Sequence, residues 1–283
     1  MNRIGTFSNG KVKVLGRYLA YTLLICTAIT TIFPFFWMVS TALKPDNELY
    51  RFPPNLVPKK VMWSNLSKAW SSGPFNRYLF NTVLITIITT SITLLLSSLG
   101  GVAFGKYKFP GQKILFAAIL GVMMIPPQVT LVPNYLILRG LRALNTYWGV
   151  IAVSVVNPFG IFLVRQYMQS IPDELMDAAR IDGCSEWMTF WRILLPLMKP
   201  VLGTLAIFSF TDNWNSFMWP LIIMDRQEMY TLQVGLAFFR GQHMAYPNLL
   251  MAVNVVAIIP VLVVFLLFQK YFVQGIQLTG LKG

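Results

Sequence analysis

Charged residues, cysteine and histidine are all scarce in this sequence. Of 283 residues, 12% are charged and 55% are hydrophobic, and there are 2 cysteines and 1 histidine. An ordinary soluble domain has about 25% charged residues, so this chain does not have the polar side chains needed to cover itself in water. Cys26 and Cys184 are too far apart in sequence to suggest a disulfide framework or a metal site. The single histidine, His243, argues against a histidine-built catalytic or metal centre.

Long apolar segments fill most of the chain. Six of them reach the length of about 20 residues that a helix needs to cross a bilayer, and none alternates as a membrane β-strand does. We therefore predict an all-α polytopic membrane protein that forms one domain over residues 1–283. The predicted spans are 18–43, 78–105, 114–132, 146–165, 201–224 and 247–269. Because prolines end helices, the third span is expected to stop near Val132, with Pro133 starting a short interfacial helix to about Leu144.

The basic residues indicate the orientation of the chain. The net charge is +13, but Lys and Arg flank the apolar segments instead of clustering on one polar face, which excludes a nucleic-acid-binding role. Six spans place both termini on one side, where 13 of the 23 Lys and Arg residues fall. This weak bias predicts that both termini are cytoplasmic. The first apolar run is too long for a cleaved signal, so it is predicted to remain as the first helix.

The segment 166–200, which we call the polar loop, lies between the fourth and fifth predicted spans. It holds half of the acidic residues of the chain, Asp173, Glu174, Asp177, Asp182 and Glu186. Pro172 and the acids after it fit the first turn of a helix, and Gly183 fits a left-handed stop. Ser185 fits the cap of a second short helix to about Leu195. The alternative, a helix lying on lipid, would favour Lys and Arg on the polar face.

Three glycines near the end of the second span admit two interpretations. Gly100, Gly101 and Gly105 give a face of small residues, which favours close helix packing. Gly100 to Lys106 also matches the first half of a phosphate-binding loop, but Tyr107 stands where that loop needs Ser or Thr, and no strand precedes it. We therefore expect helix packing, and no ATP binding by this chain.

The fifth apolar segment contains polar groups at membrane depth. Charged or amide side chains inside a span are costly, so they usually face a polar interior or water. Amides can bond hydroxyl groups, and aromatic rings can cover the apolar face of a sugar. Asp212, Asn213, Trp214, Asn215 and Phe217 are therefore candidates for a substrate path. The alternative is interhelical hydrogen bonding that only fixes packing.

The polar loop resembles the EAA loop of ATP-binding-cassette importer permeases. The resemblance is carried by Asp177-Ala178-Ala179-x-x-Asp182-Gly183, followed by Phe190, Ile193, Leu195-Pro196 and Pro200. In that family the loop forms a coupling helix that docks onto a cytoplasmic ATPase. The resemblance assigns ATPase docking to Asp177, Ala178, Ala179, Asp182, Gly183, Ile193 and Pro196. The family's leading Glu is Asp177 here.

Other segments are similar to the sugar-importing branch of that family, and to the smaller of its two maltose-permease-like subunits. They are Pro34–Pro45, Phe109–Gly111, Ile125–Tyr135, Trp214–Leu221 and the tail from Tyr271 to Gly283. The resemblance implies a multi-pass protein of the bacterial plasma (inner) membrane, surrounded by lipid, with no catalytic residues or cofactor of its own. It implies a second homologous permease, two ATPase subunits that carry ATP and Mg, and an extracytoplasmic sugar-binding protein. The loop from Asp225 to Tyr246 would face that binding protein.

Two other functions stay open at the level of sequence. A self-sufficient secondary transporter or channel for a small polar solute would need paired charges within the membrane, whereas Asp212 is the one charge found deep in a predicted span. An intramembrane enzyme would need a histidine or cysteine cluster or an acid pair, and no convincing one is found.

Overall fold

Helices are the regular elements of this chain. The computed structural model describes the backbone of residues 8–280 and the side chains of residues 14 and 16–271. In chain order, the α-helices of that part are α1 (Ser8–Ala42), α2 (Ser64–Ser71), α3 (Phe75–Lys106), α4 (Gln112–Met123), α5 (Leu131–Gly140), α6 (Tyr147–Ser154), α7 (Pro158–Met168), α8 (Glu174–Ile181), α9 (Glu186–Thr189), α10 (Leu195–Leu197), α11 (Lys199–Trp214), α12 (Met218–Ile223), α13 (Leu232–Gln242) and α14 (Pro247–Gly280). No strand occurs within residues 8–280, which confirms the all-α prediction. Arg3 and the end of the tail motif, 281–283, lie outside the described residues.

Three helices are long and apolar enough to cross a membrane. They are Gly16–Ala42, Phe75–Lys106 and Pro247–Tyr271, and three further pairs of helices pass the same test together but are bent at a break. By length and composition, the described part of the chain therefore has three helices that could cross a membrane, or up to six crossings if each bent pair is one span. The six-span topology with cytoplasmic termini stays a prediction.

The third predicted span is interrupted earlier than expected. Helix α4 ends at Met123, not near Val132, and the next helical pair, Pro127–Gly140, turns away from it by 95°. The reason is the double proline at 126–127, because each proline lacks an N–H and restricts the residue before it. Pro133 lies within the first turn of α5, where its missing N–H costs nothing.

The fourth predicted span, 146–165, is two helices that meet at 42°. Helix α6 begins after Thr146, whose side chain accepts a hydrogen bond from Gly149 N–H. Helix α7 begins at Pro158 after Asn157, whose side chain accepts from Gly160 N–H. An amide cap followed by proline is the sequence signal of a helix start, so this break could have been read from the sequence.

The fifth predicted span, 201–224, is also not continuous. Helix α11 ends at Trp214 and α12 begins at Met218. Asn215 is the first of the residues between them, 215–217, and it is the C-terminal capping residue of α11. Asn competes for backbone hydrogen bonds and favours helix ends over helix interiors, which accounts for the interruption.

The described chain forms two compact units, each built from two stretches. The first contains the described residues up to Gly73 together with Phe239–Val256, and the second contains Pro74–Phe238 and the described residues from Ala257. In the first unit, the buried side chain of Asn65 donates to the carbonyls of Ala42 and Lys44 at 2.9 and 2.8 Å. These bonds satisfy the carbonyls that the end of α1 leaves unpaired.

Glycines set the close packing of α3 against α7 in the second unit. A methyl carbon added at Gly101 would lie 2.4 Å from Val164 Cγ1, and one at Gly105 would lie 2.9 Å from Met168 Cβ. On the opposite helix, a methyl at Gly160 would lie 2.3 Å from Ser97 Oγ. Real carbon contacts are longer than this, so the two backbones approach only because these residues are glycines. The packing interpretation of the glycine face is confirmed.

Candidate functional site

The polar loop folds as two short helices joined by a sharp turn, as predicted. The first helix, α8, starts at Glu174 with Asp173 as its capping residue. Pro172 therefore lies outside the helix and not at its first position. Glu174 and Asp177 lie in the first turn of α8 and Arg180 in its last turn, which suits the helix dipole at both ends.

Gly183 makes the turn between the two helices. Its φ is 78°, a left-handed conformation that only glycine adopts without cost. The N–H of Cys184 donates to the carbonyl of Ala179 at 2.9 Å, and the N–H of Gly183 to that of Arg180 at 3.1 Å. These bonds satisfy carbonyls at the end of α8. The hydroxyl of Ser185 then accepts from Met188 N–H at 3.3 Å and caps α9, as predicted.

An apolar cluster joins the polar loop to the long helices of the second unit. Met176 of α8 is 4% exposed and belongs to the same cluster as Met168 of α7, Leu194 of the loop and Leu205 of α11. Full burial of a side chain such as Met176 contributes about 1.5–3 kcal/mol. The loop is thus held by the core of the unit and is not a free connection.

The second half of the loop leads directly into α11. Phe190–Leu194 is one π-helical turn, and the segment Glu186–Leu197 meets Lys199–Trp214 at 75°. Ile193 is half-buried and Pro196 is exposed. Pro196 and Pro200 each lie in a first helical turn, where proline is tolerated.

The predicted docking residues divide between two sides of α8. Asp177, Ala178, Asp182 and Gly183 are exposed, whereas Ala179 is only 3% exposed and faces the core beside Met176. The two alanines therefore do not share one exposed face, because positions three apart, 176 and 179, lie on the buried side of α8. The outward side of the turn is apolar at several points that the sequence reasoning missed. They are Leu175, 41% exposed, Ile181, 86%, and Trp187, 65%.

Lys106 holds the start of the polar loop to the end of α3. Its side chain is only 2% exposed, and its ammonium lies 2.5 Å from Asp173 Oδ1. It also donates to the carbonyl of Ile171. The bond from Lys106 and its charge lower the pKa of the Asp173 carboxyl. A buried ammonium needs such partners, since an unpaired charge away from water is costly.

Tyr107 forms a second connection between α3 and the loop. Its hydroxyl donates to Glu186 Oε2, while Arg180 lies 3.2 Å from Glu186 Oε1 and 3.3 Å from Asp177 Oδ1. Burial, followed by the bond to Glu186 and its negative charge, raises the pKa of Tyr107 to about 12. The bond from Tyr107, with that from Arg180, lowers the pKa of Glu186. We call Lys106, Tyr107 and their partners in the loop the latch.

The candidate path residues lie at the end of α11 and in the break that follows. Asp212 and Asn215 are exposed, and Asn213 and Phe217 are half-buried. Asn215 Oδ1 accepts from Gln233 Nε2 at 3.3 Å. That partner is a polar residue of α13 that the sequence analysis did not select.

Trp214 differs from the other path candidates. It is 1% exposed, and its indole N–H donates to the carbonyl of Ala257 at 3.0 Å. A buried Trp whose N–H is satisfied acts as a packing residue. Trp214 therefore contributes to helix packing, and its place in the substrate path stays a prediction. The amide of Asn213 also bonds within its own helix, to Ser209 O at 2.7 Å.

Part of the predicted external loop, residues 225–238, is fixed to α3. The fully buried amide of Asn81 donates to the carbonyls of Glu228 and Tyr230 at 2.8 and 2.9 Å. Tyr147 OH donates to Asn81 Oδ1 at 2.8 Å. One buried amide therefore joins three segments of the unit, which is a structural role that burial of an amide requires. In the described part of the chain, no group of three or more His, Cys, Asp or Glu residues could hold a metal ion.

The fold and the site together define a helical membrane protein whose polar loop packs against its apolar core. Residues 97–278 match the family described as binding-protein-dependent transport system inner membrane component, and the chain belongs to that family. Its relatives are permease components of transport systems and not enzymes.

Two relatives illustrate the range of the family. The chain is 38% identical to the arabinooligosaccharides transport system permease protein AraQ of Bacillus subtilis over 255 residues, which is 89% of this chain and 91% of the relative. It is 30% identical to the sn-glycerol-3-phosphate transport system permease protein UgpE of Yersinia enterocolitica, over 90% of this chain and 94% of the relative.

Solved structures share the fold. A chain in the crystal structure of a bacterial ABC transporter involved in import of the acidic polysaccharide alginate gives a TM-score of 0.81 at 24% identity, covering 96% of this chain and 100% of that one. A chain of a bacterial alginate ABC transporter in complex with its alginate pentasaccharide-bound periplasmic protein gives 0.65 at 16% identity, over 90% and 94%. These similarities establish the architecture.

Proposed function

We propose that this chain is a permease subunit of an ATP-driven, binding-protein-dependent importer of carbohydrates. The family membership and the full-length similarity to AraQ and UgpE support the transport role. In the proposed complex, this chain and a second permease each form half of the translocation path. Two ATPase subunits bind on the cytoplasmic side, and a solute-binding protein delivers solute from the other side.

The observation that carries the proposal is the attachment of the exposed polar loop to the end of α3 and to the apolar cluster of α7 and α11. The ATPase moves when it binds ATP. That motion can reach the transmembrane helices of the permease only if the element that contacts the ATPase is firmly attached to those helices. The loop meets this requirement, because it shares an apolar cluster with α7 and α11 and is held to α3 by the latch. Motion applied at the turn around Gly183 then reaches the long helices as a rigid-body shift.

The outward surface of the turn has the composition of a protein contact. The same helix–turn–helix segment exposes apolar groups at Leu175, Ile181 and Trp187 and the small residues Ala178 and Gly183. Small exposed residues let a partner approach the backbone closely, and an exposed tryptophan is typical of the residues that dominate binding energy. We infer that this surface docks in a groove of the ATPase.

We infer that the transported solute carries several hydroxyl groups. AraQ and UgpE are named for arabinooligosaccharides and glycerol phosphate, which share that chemistry. Exposed Asp212 and Asn215 at the α11–α12 break offer a carboxylate and an amide to hydroxyl groups. Phe217 beside them offers an aromatic ring. Affinity measurements of the cognate binding protein for a panel of sugars and polyols would identify the solute.

Purification and reconstitution test the transport mechanism. The tagged chain is expected to co-purify with an ATPase and a second permease, and vesicles containing the complex are expected to take up solute only with ATP on the ATPase side. Uptake by the chain alone that is abolished by a protonophore and unaffected by ATP would instead establish a secondary transporter and overturn the proposal.

A further inference from the structure

An apolar pocket of about 440 Å³ lies where the polar loop joins α11. Its walls come from four helices of the second unit. They include Leu94 of α3, Leu195 and Pro196 of α10, Leu202 and Ala206 of α11, and Phe268 and Tyr271 of α14. The volume falls within the range of about 300–1,000 Å³ that holds small-molecule ligands.

The pocket lies at the end of the apolar part of its walls, at the level expected for lipid headgroups. The membrane-crossing stretch of α14 ends at Tyr271, which lines the pocket. Lys199, the first residue of α11, also lines it. A tyrosine and lysines at the end of an apolar run are typical of the boundary between hydrocarbon and headgroups. The apolar walls of the pocket therefore suit the acyl chain of a lipid, and the lysine at its edge suits the headgroup.

Two exposed cations lie at or next to the pocket. Lys199 lines it, and the ammonium of Lys270 lies 5.0 Å from the ring centroid of Tyr271, which lines it. Neither ammonium forms an ion pair with a carboxylate in the described part of the chain, where the ion pairs are those of Lys106 and Arg180. Two unpaired cations beside an apolar pocket complement an anion that carries a hydrocarbon chain.

The outer face of α14 next to the pocket is also apolar and uncovered by this chain. Leu266 is 61% exposed and Leu267 is 64% exposed. In a helix that crosses a membrane, such a face contacts lipid tails. A phospholipid at the pocket can therefore keep one acyl chain among the surrounding membrane lipids and insert its other acyl chain into the pocket.

We propose that this pocket binds an anionic phospholipid, with one acyl chain between α3, α11 and α14 and the phosphate on Lys199 and Lys270. Basic pockets between membrane helices on the cytoplasmic side are known to bind anionic headgroups in this manner. The inserted chain contacts Leu195 and Pro196 before the 75° bend and Leu202 after it. The lipid then stiffens the bend through which the loop moves α11.

Lipid retention by the purified full complex tests this site. The complex is incubated in detergent with phosphatidylglycerol or phosphatidylcholine, and bound lipid is measured by native mass spectrometry. We expect the wild type to retain phosphatidylglycerol at least tenfold better than phosphatidylcholine. The double variant Lys199→Gln/Lys270→Gln is expected to lose this preference, which is a reduction of about tenfold or more. Lys113→Gln, which removes an exposed cation of α4 that does not line the pocket, is the matched control and should leave the preference unchanged.

Two further measurements distinguish a lipid site from a structural effect of the substitutions and from a contact with protein. Lys199→Arg/Lys270→Arg keeps both positive charges, so this variant should retain the preference for phosphatidylglycerol. That result would show that the double glutamine variant loses the preference because it lacks the charges and not because its fold is disturbed. A photo-crosslinking amino acid in place of Leu202 should capture phospholipid in native membranes. Equal retention of both lipids, an equal effect of Lys113→Gln, or capture of the second permease in place of lipid would each overturn the proposal. Retention is read without ATP, so its failure is distinct from a failure of the transport mechanism.

Discussion

Replacement of Gly183 by residues of different size separates the docking role of the turn from its backbone geometry. The φ of 78° imposes a cost on any other residue, about 1–2 kcal/mol for the left-handed region. A methyl carbon at this exposed position meets no steric obstacle, because nothing in the described part of the chain lies within 4 Å of it. Gly183→Ala and Gly183→Trp therefore share the backbone cost and differ in the bulk that they present outward.

The size difference predicts different losses of ATPase binding. Gly183→Ala keeps a small surface, so the complex should still assemble and couple, with a loss no larger than the backbone cost. Gly183→Trp adds a side chain of about 150–250 Å² to a close contact. Overpacking of this kind costs about 1–3 kcal/mol more, which weakens ATPase binding by a further factor of roughly 5 to 150.

The assay compares wild type and both variants in the same membranes. ATPase co-purification, solute-stimulated ATP hydrolysis and vesicle uptake are measured after equal insertion has been confirmed by membrane fractionation. Equal behaviour of the Ala and Trp variants would show that only the backbone geometry matters. Normal coupling in Gly183→Trp would refute the docking role of the turn.

Three further predictions concern the latch, the helix packing and the path. The latch lowers the pKa of Glu186 below its ordinary 4.5, so the stabilisation from ionised Glu186 is present above that pH and is lost as the pH falls through the folded-state pKa. The difference in melting temperature between wild type and Glu186→Gln should therefore be constant near neutral pH and shrink below about pH 4.5. A difference that does not change with pH would contradict this role of Glu186. Gly101→Ala should destabilise the protein by about 1–3 kcal/mol, because the added methyl would lie 2.4 Å from a neighbouring side chain. Gly100→Ala should cost less, because its methyl would lie 3.3 Å from the nearest atom. Thermal unfolding in detergent compares the two variants, and equal losses of stability would refute the packing argument. Asp212→Asn should raise the solute concentration for half-maximal uptake by about tenfold or more, because the variant loses a hydrogen bond between the solute and a charged group. Co-purification of the ATPase should be unchanged. Unaltered uptake would exclude the Asp212 carboxylate from the path.

Local signals in the sequence predict the shape of the polar loop. Gly183 marks the left-handed turn and Ser185 the following cap, and both features depend on residues within one helical turn of each other. The same holds for the glycine face of α3, where the absence of side chains at Gly101 and Gly105 is itself the packing signal.

The interruptions of the predicted spans were missed for a different reason. A hydropathy run measures only whether a segment is apolar, and it does not detect where the backbone hydrogen bonds stop. At Asn157-Pro158 the capping signal is present in the sequence but lies inside an apolar run. The carbonyl of Val155 left free there accepts a hydrogen bond from Thr93 of α3 at 3.1 Å, so a neighbouring helix stabilises the break.

Long-range partners decide the remaining features. Nothing near Lys106 in sequence indicates that its side chain is buried against Ile171 and Asp173. Burial of Ala179 and Trp214 likewise depends on helices that are distant in sequence. The predicted sets of docking and path residues each therefore included a residue that faces the core.

Cross-linking at Ile181 tests the central claim most directly, because this residue is 86% exposed beside the turn. In a background where Cys26 and Cys184 are replaced by serine, the thiol introduced by Ile181→Cys is expected to form a cross-link to the ATPase subunit in the assembled complex. It should also resist a membrane-impermeant maleimide applied to intact cells. Labelling of that thiol from outside the cell, or the absence of any cross-link to another polypeptide, would contradict the account.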